Sequence, residues 1–156
     1  AGPAQIALGL VLAQIGLGAL TVLTGKAVLP TTAHVATGAA IGADRQRRVV
    51  NLQADGSAMY SLQSLWTQAR ERLPVTTILL DNGRYNILVG EYKAVGATPG
   101  ATAMGMLDLG NPSLDWVRLA GAMGVEGARA TTLEQCADLM ASSFRSDAPF
   151  LIALAV

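Results

Sequence analysis

The chain has 156 residues, of which 51% are hydrophobic and 14% charged, with 11 basic and 11 acidic side chains. That length is enough for one domain with a buried core, and the balanced charge excludes the basic surface that nucleic-acid binding requires. The single cysteine, Cys136, excludes a disulfide framework and is typical of a reducing compartment, which indicates a cytoplasmic protein.

The first 23 residues carry no charge, and residues 6–23 are interrupted only by glycines, one glutamine and one threonine. Hydropathy alone permits a membrane-spanning helix of about 18 residues there. We favour a helix over residues 4–15 followed by a buried strand over residues 19–23, because three glycines and a glutamine weaken a membrane span. A signal peptide is disfavoured because no basic residue precedes the apolar run.

The central stretch, residues 49–85, predicts a strand, a helix and a second strand that are joined by polar turns. Such a βαβ unit has parallel strands and a right-handed crossover, so the turns that follow its two strands lie at the same edge of the sheet. Ligands bind at this carboxyl edge in open α/β sheets. The two turns are Asp55-Gly56-Ser57 and Asp81-Asn82-Gly83.

Periodicity, glycines and prolines predict the other elements. Thr131-Thr132-Leu133-Glu134 predicts a capping box, with Thr131 as the cap. Residues 83–100 contain four glycines and predict a loop and broken helix that cover a site. In chain order we predict a loop at 24–32, a helix at 35–43, strands at 49–53 and 75–80 around a helix at 57–72, an irregular segment at 101–112, a helix at 114–123, a strand at 125–130, a helix ending near 143 and a strand at 149–156.

Several side chains are assigned to packing or to capping. Met59, Trp66 and Trp116 lie on apolar faces of predicted helices, and we expect all three in the core, together with Cys136 beside Leu133, Ala137 and Met140. Asp108 and Asp115 are expected to face solvent or to cap a helix.

The two polar turns carry ligands of a specific type. Asp55 offers a carboxylate oxygen, Asn82 an amide oxygen, and the loop beyond Asn82 can offer a backbone carbonyl, which together are a ligand set for Mg²⁺. Gly56 allows close approach of the backbone, and Ser57 with the following amides begins a helix whose first turn favours a diphosphate. The alternative is that Asp55 and Asn82 are ordinary turn residues and that Ser57 is a helix N-cap.

The motif Asp55-Gly56-Ser57, with Asn82 27 residues after Asp55, resembles the GDG…N motif of thiamine diphosphate-dependent enzymes. The segments ADGSAMYSLQSLWTQARE, NILVGEYKAVGATPG and MLDLGNPSLDWVRLAGAMGV resemble the branch of acetolactate synthase large subunits, which is similar to benzoylformate decarboxylase. The resemblance extends from about residue 36 to the end. It implies an α/β fold in which residues 1–156 form one diphosphate-binding domain, a parallel sheet with a helix layer on each face.

The resemblance also implies a ligand set. It assigns Mg²⁺ to Asp55, Asn82 and the backbone carbonyl of Arg84, and it assigns cofactor contacts to Gly25, Ala27, Val28, Gly56, Ser57, Tyr85 and Leu88. Tyr85 and Leu88 could instead pack in the core. The sequence departs from the family at Lys26, where relatives have a glycine, and over residues 29–34, where they have a glycine-rich turn. His34, the only histidine, lies in this divergent segment without a catalytic partner nearby in sequence.

Enzymes of this family use a separate pyrimidine-binding domain that supplies an activating glutamate. Glu71, Glu91, Glu126 and Glu134 match no such motif, so we expect no catalytic residue on this chain and no activity from it alone. The implied cofactors are thiamine diphosphate and Mg²⁺. The implied partners are a pyrimidine-binding domain or subunit, a 2-keto acid substrate and further copies of the chain, which would associate through an exposed apolar face.

Two other kinds of protein fit parts of the sequence. One is an α/β scaffold or interaction module that has lost cofactor binding, which the divergence over residues 26–34 favours. The other is a membrane-anchored domain, which residues 6–23 favour. A Rossmann dinucleotide-binding protein fits less well, because no G-x-G-x-x-G motif follows a predicted strand.

Overall fold

The computed structural model describes residues 12, 13, 16 and 47–156. The chain divides into two compact units, Ala1–Arg47 and Arg48–Val156. In the first unit Leu12, Ala13 and Gly16 are helical and exposed. The predicted strand at 19–23, loop at 24–32 and helix at 35–43 lie outside the described residues. The single-domain arrangement stays a prediction.

The membrane-spanning alternative falls mostly on residues outside this description. Across the part of the chain that is described, no helix has the length and apolar character needed to cross a bilayer.

The second unit is built on four parallel strands, β1 (Val49–Ala54), β2 (Val75–Asp81), β3 (Glu126–Ala130) and β4 (Phe150–Ala155). Their order in the sheet is β1-β2-β4-β3, so β4 returns to lie between β2 and β3. Every strand bound lies within one residue of the prediction, and the predicted parallel sheet is confirmed.

Six helices connect the strands: α1 (Asp55–Ala58), α2 (Ser64–Glu71), α3 (Asn86–Ala94), α4 (Ala101–Met106), α5 (Trp116–Ala122) and α6 (Leu133–Ser143). The prediction of an irregular segment at 101–112 is wrong over α4. The predicted loop and broken helix at 83–100 contain one helix, α3, between two non-helical ends.

The prediction of one helix at 57–72 is also wrong. A turn at residues 59–63 separates α1 from α2. In this turn the backbone amides of Tyr60, Ser61 and Ser64 donate to the carbonyl three residues earlier, at 2.9–3.2 Å. The chain is thus wound more tightly than an α-helix. The side chain of Gln53 on β1 holds the turn, because its Nε2 donates to Ser61 Oγ at 2.9 Å.

Helices cover both faces of the sheet, which gives the three layers that the sequence predicts. Alternate residues of β4 point to opposite faces. Leu151 and Ala153 pack in one cluster with side chains of α2 and α5, whereas Ile152 and Leu154 pack in a second cluster with side chains of α6. Trp116 of α5 is 1% exposed and Cys136 of α6 is buried, as predicted.

The break between α1 and α2 changes the orientation of two predicted core residues. Met59 is 41% exposed and Trp66 is 51% exposed, so the prediction that they pack in the core is wrong. The Trp66 ring instead carries the Arg70 guanidinium at 4.8 Å from its centroid, a cation–π contact at the surface. Leu133 is also exposed rather than packed beside Cys136.

Among the described residues, two apolar side chains of β1 are exposed on the face of the sheet that α6 covers. Val50 and Leu52 point to this face and are 48% and 66% exposed, because α6 packs on β3 and β4. The described part of the chain therefore presents the exposed apolar surface that the sequence predicts. Self-association through it stays a prediction.

Helix α6 begins one residue later than the predicted capping box. Thr132, not Thr131, is the N-cap, and its side chain accepts from the backbone amide of Gln135 at 3.2 Å. Two side chains reach back: Gln135 Oε1 accepts from the backbone amide of Thr131 at 2.9 Å, and the Glu134 carboxylate accepts from the Thr132 hydroxyl. The predicted N-cap is therefore wrong by one residue, and no bond from Gln135 to the Thr132 amide completes a capping box.

We expect the change Gln68→Met to stabilise the fold. Gln68 Oε1 on α2 is buried and has no hydrogen-bond partner among the described residues, and a buried acceptor of this kind costs about 1 kcal/mol or more. Urea denaturation should show a gain of about 1 kcal/mol, since methionine has a similar shape. The matched control, Gln63→Met, replaces an exposed glutamine next to the same helix and should change stability little. Equal effects of the two changes would contradict the prediction.

Glu134 should make the fold more stable above acidic pH. Its own backbone amide and the Thr132 hydroxyl hydrogen-bond the carboxylate and lower its pKa from the ordinary 4.5. A lowered pKa in the folded state stabilises the protein above the unfolded-state pKa, and this contribution disappears as the pH falls through the folded-state pKa. Thermal unfolding at pH 6 and pH 3 should therefore show a smaller acid loss in Glu134→Gln. If Glu134→Gln and the unmodified chain lose the same stability between pH 6 and pH 3, these hydrogen bonds do not contribute.

Candidate functional site

The two polar turns of the βαβ unit lie side by side at the carboxyl edge of the sheet. The parallel register pairs Ala54, the last residue of β1, with Leu80 near the end of β2. The next residue after β1 is Asp55, and Asn82 follows β2 directly. The register therefore places the acidic turn of one strand against the amide turn of the next.

Asp55 joins these turns through its carboxylate. The residue is 1% exposed. Its Oδ1 accepts from the backbone amide of Gly56 at 2.7 Å, and its Oδ2 accepts from the amides of Asn82 at 3.1 Å and Gly83 at 2.7 Å. Within residues 47–156 no basic side chain pairs with it, so three backbone dipoles compensate the buried charge. Helix α1 begins at Asp55, and the alternative that Ser57 is its N-cap is wrong.

The turn after β2 is shaped by the side chain of Asn82. Asn82 Oδ1 accepts from the backbone amide of Arg84 at 3.1 Å. Between them Gly83 has φ +68°, a left-handed conformation that glycine adopts without strain. The carbonyl oxygen of Arg84 accepts from the amide of Asn86 at 2.9 Å, where α3 begins.

One cavity of about 280 Å³ collects the predicted site residues. Every predicted metal or cofactor residue that the structure describes lines it, whereas Gly25, Ala27 and Val28 lie outside the described residues, as does His34. None of Glu71, Glu91, Glu126 and Glu134 lines the cavity. The predicted residues that do line it are Asp55, Gly56, Ser57, Asn82, Arg84, Tyr85 and Leu88.

Gly56 provides the space in which the Tyr85 ring lies. A Cβ atom at position 56 would be 2.7 Å from Tyr85 Cδ1, closer than a real contact allows. Tyr85 is half-buried and Leu88 is 43% exposed, so the alternative that both pack in the core is wrong for Leu88.

Four residues of the cavity wall were not among the predicted site residues: Ala54, Tyr60, Asn86 and Ile87. The Tyr60 ring lies 6.3 Å from the Tyr85 ring, between centroids, and Ile87 is 75% exposed. Ile87 could have been found from its position between Tyr85 and Leu88. Tyr60 could not, since only the turn at 59–63 orients it toward the cavity.

The donor set around this cavity fits a magnesium ion. It consists of a carboxylate, a side-chain amide oxygen and a backbone carbonyl, all hard oxygen donors. Within the described residues no group of three or more histidine, cysteine, aspartate or glutamate side chains could hold a metal. A metal at this edge would therefore have one charged protein ligand, Asp55, and would complete its coordination with ligand phosphates and water.

A larger cavity of about 780 Å³ lies beside the first, and Asn82 lines both. Its charged side chains are already paired. Arg129 Nη2 is 3.2 Å from Asp81 Oδ2, and Arg118 Nε is 3.2 Å from Asp115 Oδ2. Asp115 also caps α5, and Asp108 is exposed and accepts from the Gly110 amide in a turn, so the expectation that each faces solvent or caps a helix is confirmed. The smaller cavity is the candidate site, because the Asp55 carboxylate there has no basic partner among the described residues.

Comparison with known proteins identifies the family to which the chain belongs. Residues 23–154 match the thiamine pyrophosphate enzymes, in their C-terminal TPP binding domain. IlvX of Mycobacterium tuberculosis, whose name assigns it to the acetolactate synthase large subunits, is 46% identical over 123 residues, or 78% of this chain and 24% of IlvX. Benzoylformate decarboxylase of Pseudomonas aeruginosa is 33% identical over 117 residues, or 73% of this chain and 21% of that protein.

A solved structure shows the same similarity. The thiamine diphosphate-dependent 4-hydroxybenzoylformate decarboxylase of Rhodococcus jostii RHA1 superposes with a TM-score of 0.63 at 34% identity. The match covers 80% of this chain and 23% of that one.

The fold and the sequence matches define a thiamine pyrophosphate (thiamine diphosphate) enzyme domain, and the chain belongs to that family, in its C-terminal TPP binding domain. Within the family its relatives include acetolactate synthase large subunits and benzoylformate decarboxylase. The chain spans between 20% and 24% of the length of the curated relatives it matches.

We expect Asp55→Ala to destabilise the protein by about 3 kcal/mol even without metal or cofactor, because it leaves three backbone amides without their acceptor. Urea denaturation in the presence of a chelator measures this loss. Asp115→Ala is the matched control. It removes an exposed carboxylate that accepts one backbone amide, from Arg118, and should cost about 1 kcal/mol. Similar losses in the two variants would show that Asp55 does not join the turns in solution.

Proposed function

We propose that this chain binds the diphosphate end of thiamine diphosphate through a Mg²⁺ ion held by Asp55, Asn82 and the backbone carbonyl of Arg84. The observation that carries the proposal is the buried Asp55 carboxylate, which has no basic partner among the described residues and lines a cavity with the other two donors. A divalent ion would supply the positive charge that this carboxylate lacks.

The other residues of the cavity have distinct roles in this proposal. Gly56 leaves room for the Tyr85 ring, and Tyr85 with Leu88 forms the wall that would contact the cofactor beyond its diphosphate. Ser57 is exposed beside Asp55, where its hydroxyl can donate to a phosphate oxygen. Because α1 has only four residues, its dipole contributes little, and the charge of the metal would dominate.

When bound, thiamine diphosphate supplies the electron sink for breaking the bond between the carboxyl and carbonyl carbons of a 2-keto acid. We propose that the chain serves an acetolactate synthase-like decarboxylase or carboligase, since its relatives carry those names. A pyrimidine-binding domain or subunit would supply the activating glutamate, so we expect no turnover by this chain alone. The exposed Val50 and Leu52 support the proposal of a homo-oligomer. We place it in the cytoplasm because its one cysteine is unpaired and buried.

A second candidate is an α/β scaffold that no longer binds the cofactor. One observation favours it: three backbone amides already satisfy the Asp55 carboxylate. The same geometry would hold the two turns together in a protein with no metal. The two candidates therefore differ in ligand binding and not in fold.

Calorimetric titration of thiamine diphosphate into the chain, with Mg²⁺ and again with chelator, separates them. We expect binding only with Mg²⁺, and at least about tenfold weaker binding in Asn82→Ala, which removes one donor and leaves the Asp55 bonds to backbone amides in place. The control, Asp138→Asn, changes an exposed carboxylate on α6 and should bind like the unmodified chain.

Two outcomes would contradict the proposal. Absence of binding by the folded chain at about millimolar ligand would favour the scaffold. Equal binding with and without Mg²⁺ would support cofactor binding and exclude a role for the metal in it.

A further inference from the structure

A short antiparallel ribbon holds the backbone of the loop that follows β2. The backbone amide of Tyr85 donates to the carbonyl of Leu107 at 2.9 Å, and the amide of Leu109 donates to the carbonyl of Gly83 at 2.7 Å. Arg84 and Asp108 are opposite each other between these two bonds. We call residues 107–109 the brace. They come just after α4, in a segment for which the sequence predicts no regular structure.

The ribbon determines where the peptide groups of Arg84 point. In an antiparallel pair the residue between two inter-strand hydrogen bonds directs its own N–H and C=O away from the partner strand. The Arg84 amide accordingly donates to Asn82 Oδ1, and its carbonyl accepts from the amide of Asn86, both outside the ribbon. The brace thus keeps the Arg84 carbonyl free of the ribbon, on a residue that lines the cavity with Asp55.

Gly83 makes this external support necessary. It joins Asn82 to Arg84 at φ +68°, and a glycine in such a position does not restrict the direction of the chain. Its two peptide groups are held from opposite sides. Its amide donates to Asp55 Oδ2 at 2.7 Å, and its carbonyl accepts from Leu109 at 2.7 Å. Asp55 and the brace thus hold Gly83 in addition to the bond from the Arg84 amide to Asn82 Oδ1 across it.

The brace is itself held in shape by local bonds. The Leu107 amide donates to the carbonyl of Met104 at the end of α4, at 3.1 Å. Asp108 Oδ1 accepts from the amide of Gly110 at 2.8 Å, which fixes the turn beyond Leu109. The brace is therefore anchored on both sides of the point where it supports the loop.

We propose that residues 107–109 are a positioning element for the metal loop and that the Leu109 amide sets the affinity for Mg²⁺ by orienting the Arg84 carbonyl. This inference rests on the proposed function for its effect on metal binding. The brace itself can be measured without metal or cofactor. The inference assigns a role in the site to a segment that contains no predicted site residue.

The experiment compares Leu109→Pro with Leu109→Ala. Proline removes the amide that donates to Gly83, whereas alanine keeps that amide and removes the side chain. Calorimetry of Mg²⁺ binding with thiamine diphosphate present should show at least about tenfold weaker binding for the proline variant, in the range found when supporting partners of a ligand are removed. The alanine variant should stay within about twofold of the unmodified chain.

Amide hydrogen exchange of the chain without metal or cofactor provides the second readout. In Leu109→Pro the amides of Gly83 and Tyr85 should exchange faster relative to the Arg118 amide, which donates to Asp115 outside the brace. If these amides exchange faster in Leu109→Pro but the unmodified chain binds no Mg²⁺, the result supports the brace and rejects the proposed function. Equal affinities and equal exchange in the proline and alanine variants would overturn the brace.

A second substitution covers the case in which Leu109→Pro does not fold. Asp108→Ala removes the acceptor for the Gly110 amide and loosens the turn beyond the brace. The Leu109 amide should then exchange faster relative to that of Arg118, with overall stability little changed. Unchanged exchange at Leu109 would overturn the inference.

Discussion

The carboxyl edge of this domain depends on one buried charge. Asp55 accepts three backbone amides, one from its own turn and two from the turn after β2, and thereby connects the ends of neighbouring strands. A buried carboxylate is costly without partners, and here main-chain dipoles provide the compensation. The orientation of the carboxylate is therefore set before any ligand arrives. In the proposed function a metal would bind to a group that the fold has already positioned, at little cost in side-chain entropy.

Much of the architecture could be predicted because its causes are local. The run Val75–Asp81 is apolar and β-branched, as a strand covered on both faces must be, and Pro74 and Gly83 bound it. A strand, helix and strand in succession give parallel pairing, and parallel pairing places Asp55 beside Asn82. The predicted site residues in the described part of the chain accordingly line one cavity. Residue type and strand order were sufficient for Asp55, Gly56, Ser57 and Asn82, whereas Arg84, Tyr85 and Leu88 came from the resemblance to the family.

The parts that could not be predicted depend on individual hydrogen bonds that residue periodicity does not reveal. The helix at 57–72 is broken where Gln53 reaches Ser61, and this contact decides which way Met59, Tyr60 and Trp66 face. The brace at 107–109 bonds the loop after β2 through backbone groups only, so the residue types do not indicate the contact. The N-cap of α6 is one residue later than predicted, and two adjacent threonines both have a side chain that can cap.

The residues that form the site lie close together in the sequence. This closeness affects the order in which parts of the domain fold. The bonds from Asp55 to the second turn join residues 27 and 28 positions apart, whereas the hydroxyl bond between Thr76 and Ser143 joins residues 67 apart. Shorter closures lose less chain entropy and form sooner. A nascent chain that has reached residue 109 already contains every residue of the smaller cavity and the brace. We therefore expect the edge site to form on the ribosome-bound chain, with β4 inserting beside β2 afterwards.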